Sequence, residues 1–241
     1  MKAEYRENSD ENYIIAIDQL KFKWPGSENW LIDIPSLTVR SGERVFIQGA
    51  SGSGKSTFLN LICGARKPDA GSIVVAGYHF DTLGHRKKDE VRRDNIGLIF
   101  QTFNLVPYLS VRKNIELGAY FSKQKTLEIQ HLKTSITEET SRLMAALDLD
   151  PNSYGDKAAR NLSVGEQQSV AAARALIGRP KLVIADEPTS ALDTLHRDQF
   201  LKLLLQECEH ASSALIFVSH DPTLAPFFDR KIQLESGQFS E

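Results

Sequence analysis

The stretch from Arg44 to Asn60, RVFIQGASGSGKSTFLN, restricts this chain more than any other. Val45, Phe46 and Ile47 read as a short buried strand, Gly49 to Gly54 as a glycine-rich turn, and a helix begins near Lys55. The spacing of Gly49, Gly54, Lys55 and Ser56 fits G-x-x-x-x-G-K-[ST], which holds phosphate because glycines let successive backbone N–H groups converge on phosphate oxygens. The helix dipole adds positive potential at the same place. The whole loop, Gly49, Ala50, Ser51, Gly52, Ser53 and Gly54, is therefore a candidate nucleotide cradle. Lys55 would reach the β- and γ-phosphates, the Ser56 hydroxyl would join a Mg²⁺ shell, and Thr57 would support the α-phosphate.

With 29 basic and 31 acidic residues the 241-residue chain has a net charge of -2, which gives no sign of nucleic acid as a partner. The length allows one large domain or two small ones. Residues 1 to 12 are polar and read as a flexible N-terminus without a signal peptide. No run approaches the roughly 18 apolar residues of a membrane span, which points to the cytosol. The two cysteines, Cys63 and Cys208, stand in no metal-ligand spacing and read as buried, reduced thiols.

Ahead of the phosphate loop, YIIAIDQLKFKW from Tyr13 and WLIDIPSLTV from Trp30 read as antiparallel strands around the Pro25-Gly26 turn. Trp24, near the end of the first, could stack on a nucleotide base or make an ordinary hydrophobic contact. GSIVVAGYHF continues the β material, GHRKKDEVRR reads as a solvated helix face, and NIGLIFQ as an apolar strand delivering Gln101 to a loop edge. Beside a nucleotide, Gln101 could reach Mg²⁺ or an attacking water; otherwise it caps the loop.

From about 105 to 162 the spacing turns helical, with a polar stretch from Ser122 to Thr137 between two helical patterns. LSVGEQQ then opens an alanine-rich helix, with Ser163 as N-cap and Glu166 as its capping-box partner. LVIADEP gives a second buried strand ending in two acids. Asp186 stands where a Mg²⁺-organising carboxylate belongs, and Glu187 one step nearer the γ-phosphate. An amphipathic helix over 194 to 210 leads to ALIFVSHD, a third buried strand carrying His220 to the same edge, and RKIQLESGQF reads as a closing hairpin.

In this order, GASGSGKST, Gln101, LSVGEQQ, LVIADEP, SALD and His220 resemble the ATP-binding cassette ATPases over nearly the whole chain from residue 13. The resemblance implies an α/β fold: a P-loop NTPase (RecA-like) core with an antiparallel β subdomain and an inserted α-helical subdomain at about 105 to 163, the ATP-binding domain occupying 13 to 241. It implies that Trp24 stacks on adenine, that Gln101 links the metal site to the helical subdomain, and that Asp186 holds Mg²⁺ through water. Glu187 is similar to the general base that polarises the attacking water, and His220 to the switch on the γ-phosphate. Ser163, Gly165 and Glu166 resemble the signature that binds the nucleotide of a second copy, and Asp193 a contact across that dimer. One chain would then be half of each site in a head-to-tail, ATP-sandwich homodimer.

Two positions depart from the family pattern. Val164 replaces a common glycine but leaves Ser163 and Gly165 intact, whereas Ser169 replaces an arginine and bears on signature-helix packing or coupling. The run from Phe100 to Ile115, FQTFNLVPYLSVRKNI, resembles the group of lipoprotein-releasing, macrolide-exporting and cell-division cassettes. The implied partner is an integral membrane permease, with the chain peripheral on the inner face of the cell membrane and export the expected direction. A mechanical regulator of an extracytoplasmic enzyme shares every motif. A soluble cassette would usually carry tandem cassettes, a coiled coil or a basic surface, and a non-enzymatic scaffold would be expected to have lost Lys55, Glu187 or His220.

Overall fold

The computed structural model describes residues 13–235 and 237–240, so the expectation for residues 1 to 12 lies outside them. Strand β1 (Tyr13–Phe22) turns back through the Trp24–Ser27 turn into β2 (Ile32–Arg40). The two pair antiparallel, with Ile17 opposite Leu37 and Phe22 opposite Ile32. β3 (Arg44–Gln48) leads into α1 (Lys55–Ile62), followed by β4 (Ala70–Val75) and β5 (Tyr78–His79), which complete a four-stranded sheet in the order β2-β1-β4-β5.

Next come α2 (His85–Asn95) and β6 (Ile96–Ile99), then a helical stretch: α3 (Val111–Tyr120), α4 (Lys123–His131), α5 (Ile136–Ala146), α6 (Pro151–Tyr154) and α7 (Val164–Leu176). The chain closes with β7 (Leu182–Asp186), α8 (Thr194–His210), β8 (Ala214–Ser219), β9 (Arg230–Glu235) and β10 (Gln238–Ser240). The second sheet has the order β10-β9-β3-β8-β7-β6, parallel from β9 to β6, with β10 returning antiparallel as the expected hairpin.

β8 is buried at every position, as an interior strand covered on both faces must be. Its alternation splits the core: Ala214, Ile216 and Val218 face α1 and the antiparallel sheet, while Leu215 and Phe217 face α7 and α8. Phe46 and Phe217 stack at 6.2 Å on the second face, and Phe228 closes on both rings at 5.3 and 5.1 Å.

Two polar runs differ from their sequence reading. The stretch set apart at Ser122–Thr137 contains α4, whose N-cap Ser122 accepts from the Lys125 N–H. It looks polar because only Lys125 and Ile129 of that helix are buried. Within GHRKKDEVRR, Lys88 and Val91 are buried on α2, so that face is not wholly solvated. Arg142 on α5 ties the helical stretch to α8 through Glu207 at 2.8 Å, while Glu139 of its own helix holds the same guanidinium at 2.9 Å. Cys63 and Cys208 are free and buried, and burial pushes both thiols up to about 12, so neither is a thiolate at neutral pH. Among the described residues no helix is long and apolar enough to cross a membrane.

Candidate functional site

The phosphate loop leaves the carboxyl end of β3, and its geometry depends on glycine. Gly54 sits at φ 102°, a region that side-chain-bearing residues rarely occupy, and from there serves as the N-cap of α1 without a side-chain hydrogen bond. The first N–H groups of α1 thus keep their donors directed at the loop. A Cβ on Gly49 would lie 2.7 Å from the Leu234 carbonyl, so the loop closes against β9 only with glycine there. Lys55 folds over the loop, its Nζ donating to the carbonyls of Gly49 at 2.6 Å and Ala50 at 2.9 Å.

β7 and β8 bring their own groups to the same edge because β8 pairs with both β3 and β7. Asp186 ends β7, and the Ser56 hydroxyl donates to its Oδ2 at 3.4 Å. Burial, reinforced by the charge of Glu187, holds the Asp186 carboxyl above its ordinary pKa, while Ser56 and Lys55 pull the other way. Glu187 occupies the left-handed region at φ 47°, fixed by its N–H donating to the Val218 carbonyl at 2.9 Å. His220 lies one residue past β8 and places Nδ1 2.8 Å from Glu187 Oε2.

A cleft of about 580 Å³ unites these groups. Ser51, Gly52, Gly54, Lys55, Ser56 and Thr57 line it together with Asp186, Glu187, His220, Gln101 and Trp24. Leu31, which the sequence reading had not singled out, joins them. Gly49, Ala50 and Ser53 line an adjoining hollow with Gln233 and Glu235. Gln101 reaches the cleft from two residues beyond β6. Trp24 is 43% exposed, set edge-on to Phe22 at 5.4 Å, with the Arg66 guanidinium 4.8 Å over its ring.

The Ser56 hydroxyl, the Asp186 carboxylate and the Gln101 amide oxygen, all on the lining of this cleft, are the hard oxygen ligands that suit Mg²⁺ shared with phosphates. Among the described residues no cluster of three or more His, Cys, Asp or Glu could hold a metal by itself.

The signature residues lie outside this cleft. Ser163 caps α7 as expected, accepting from the Glu166 N–H at 3.3 Å while its own N–H donates to Glu166 Oε2 at 2.6 Å. Burial works to raise the Glu166 carboxyl but is outweighed by hydrogen bonds from Ser163 and Tyr154, leaving its pKa below the usual value. Ser163, Gly165 and Glu166 line a separate hollow with Ser169, Leu192 and His196. Asp193 caps α8, accepting from the His196 N–H at 3.0 Å.

Two tethers escaped the sequence reading. The Arg174 guanidinium donates to the carbonyls of Phe103 at 2.6 Å and Asn104 at 2.7 Å, two residues held at positive φ just after Gln101. Gln168, wholly buried on α7, donates from Nε2 to the Pro188 carbonyl. Local sequence carries no signal for either beyond a polar residue on the buried side of an alanine-rich helix.

A glycine-rich loop between β3 and α1, facing acids at the tip of a parallel strand nearby, defines a P-loop nucleoside triphosphatase. Residues 32–190 match the ABC transporter family. An uncharacterized ABC transporter ATP-binding protein of Mycobacterium tuberculosis is 36% identical over 208 residues, covering 86% of this chain and 80% of the relative. A macrolide export ATP-binding/permease protein, MacB, of Yersinia pestis is 38% identical over 204 residues, 84% of this chain but only 30% of that larger protein. The uncharacterized ABC transporter ATP-binding protein MJ0796 of Methanocaldococcus jannaschii is 36% identical over 203 residues, 84% of each chain. A dimeric structure of the MJ0796 cassette, in a post-hydrolysis state bound to ADP and Pi, superposes with a TM-score of 0.81 at 30% identity over 94% of this chain and 97% of that one. The chain belongs to the ABC transporter ATP-binding family, in the group of MacB and MJ0796, and is an ATP-binding ATPase.

Proposed function

We propose that this ATPase works as a head-to-tail homodimer that closes on two MgATP molecules and drives a separate integral membrane permease, in the direction of export. The observation that carries this reading is the division of the motifs between two surfaces. Lys55, Ser56, Gln101, Asp186, Glu187 and His220 meet in one cleft, while Ser163, Gly165 and Glu166 line another. The signature is thus left to serve a nucleotide held by a second copy. The dimeric form of the MJ0796 cassette supports the same arrangement, and the joined permease of the MacB relative supports the membrane partner and its export direction.

In this reading the loop N–H groups and Lys55 bind the phosphates, and Trp24 stacks on the base. Ser56 and Gln101 would hold Mg²⁺ directly and Asp186 through water, and the ion would neutralise charge on the β- and γ-phosphates. Glu187 accepts hydrogen-bonding from the attacking water, and His220 steadies that carboxylate and meets the γ-phosphate. The residues 105 to 163 act as a helical subdomain within a domain spanning 13 to 241. The groove from Gln101 to Asn114 receives the permease, its loop braced by Asn114 against the Val106 N–H at 2.8 Å.

The test is light scattering of Glu187→Gln with saturating MgATP, then its recovery from membranes of its own source. Dimer, and co-purification of a permease with few spans and a large outer domain, are expected. A monomer with ATP bound overturns the sandwich. A many-span permease, ribosomes or DNA in its place overturns the proposed partner.

A further inference from the structure

Outside the cleft, Gln168 is a buried polar side chain that catalysis as described does not use. Its side chain is wholly buried on α7, five residues past the Ser163 cap. Nε2 donates to the Pro188 carbonyl, whereas Oε1 is buried with no hydrogen-bond partner among the described residues. An apolar side chain of the same length would fill this space without leaving a buried acceptor unpaired, and such an acceptor is costly. The amide therefore earns its place through the one bond it makes.

That bond falls on the Pro188–Thr189 peptide, one residue past Glu187. The left-handed backbone at Glu187, φ 47°, is one a non-glycine residue keeps only when its surroundings over-determine it. From the β8 side the Val218 carbonyl holds the Glu187 N–H at 2.9 Å, and within the turn the Ser190 N–H donates to the Glu187 carbonyl at 3.2 Å. Gln168 supplies the third anchor, from the helical side. Among the described residues it is the side chain of α7 that reaches this turn by hydrogen bond, so a movement of α7 is delivered to the backbone carrying the Glu187 carboxylate.

We infer that Gln168 is a positioning residue: through the Pro188 carbonyl it sets the placement of Glu187 and makes that placement depend on α7. The inference rests on the reading of Glu187 as the base. In a head-to-tail dimer it has a further meaning, because the end of α7 that meets the nucleotide of one site would adjust the base of the other.

The experiment is a double-mutant cycle on the full chain. Gln168→Met should lower kcat about tenfold, the scale of one neutral hydrogen bond placed in the transition state. KM for ATP should stay within twofold and the melting temperature should be nearly unmoved. On a Glu187→Gln background, with residual single-turnover hydrolysis followed to completion, the same change should add less than twofold. An unchanged kcat, a matching rise in KM, or an undiminished tenfold loss on that background overturns the positioning role. If Gln168→Met does not fold, Gln168→Leu, which is apolar, of similar volume and without a donor, carries the same cycle. The two readings fail separately: full turnover in Glu187→Gln alone removes the base, whereas a dead Glu187→Gln beside an unaffected Gln168→Met removes only the tether.

Discussion

Nδ1 of His220 and Oε2 of Glu187 are 2.8 Å apart, with the Glu187 side chain 13% exposed and the imidazole 68% exposed. The carboxylate is sheltered while the ring that meets it remains open to the cleft. Their strands are neighbours: Asp186 pairs with Val218, so Glu187, one residue on, and His220, two residues on, leave β7 and β8 at the same edge.

His220→Ala should therefore reduce kcat by about 100-fold, the lower end of the range for a positioned acid–base group, and leave ATP affinity close to that of the parent. Steady-state turnover beside titration calorimetry separates the two quantities, and a loss confined to affinity would contradict the arrangement.

Lys55 already bridges the ends of its loop through the Gly49 and Ala50 carbonyls. Lys55→Ala removes a positive charge from the phosphate cradle and should weaken ATP binding by roughly 10 to 150-fold, as loss of a charge-assisted hydrogen bond at such a site implies. Calorimetry showing parental affinity would contradict the phosphate-loop role.

Trp24 borders the cleft, whereas Trp30 is not among the residues lining it. ATP should quench the fluorescence of the parent, and the quench should vanish in Trp24→Ala while persisting in Trp30→Phe. An unaltered signal in Trp24→Ala would mean that the base stacks elsewhere.

Lys125 is 4% exposed, and burial pulls its ammonium down to about 8, with Asp94 opposing the fall. Its Nζ donates to the Gly118 carbonyl at 3.3 Å, and Ser122 holds Asp94 at 2.7 Å. The unfolded lysine titrates near 10.4, so between about pH 8 and 10 the unfolded chain binds the extra proton and stability rises with pH. Below pH 8 the cost of the buried charge is present in full. Lys125→Met should then stabilise the protein by roughly 1 to 3 kcal/mol at pH 7, with the gain shrinking towards pH 10, as read by urea denaturation at both.

What the sequence showed plainly was local. The phosphate loop, the Ser163–Glu166 capping box and the bounds of α8 all depend on residues close together in the chain, and each was read as it stands. α4 was hidden because its exposed faces carry charge, and its two buried positions are too few to mark a helical period. Gln168 and Arg174 were missed for a different reason. Their partners lie 20 and about 70 positions away, and nothing in a neighbouring residue announces a distant carbonyl. Strand order was equally out of reach, since three apolar strands of similar length do not reveal which stands in the middle.

That order has a consequence for how the protein is made. β3 is flanked by β8 and β9, both drawn from the last stretch of the chain, and β8 alone joins β3 to β7. While the ribosome is still short of Ala214, the strand that precedes the phosphate loop has no sheet partner, and the site cannot exist in any partial form. Closure must wait for Ala214–Ser219 and then proceed by inserting that strand between β3 and β7, a non-local step of the slow kind. Chains truncated before β8 should emerge with β3 edges unpaired and prone to aggregate, so the nucleotide-binding activity of this protein is acquired only once β8 and β9 have been made.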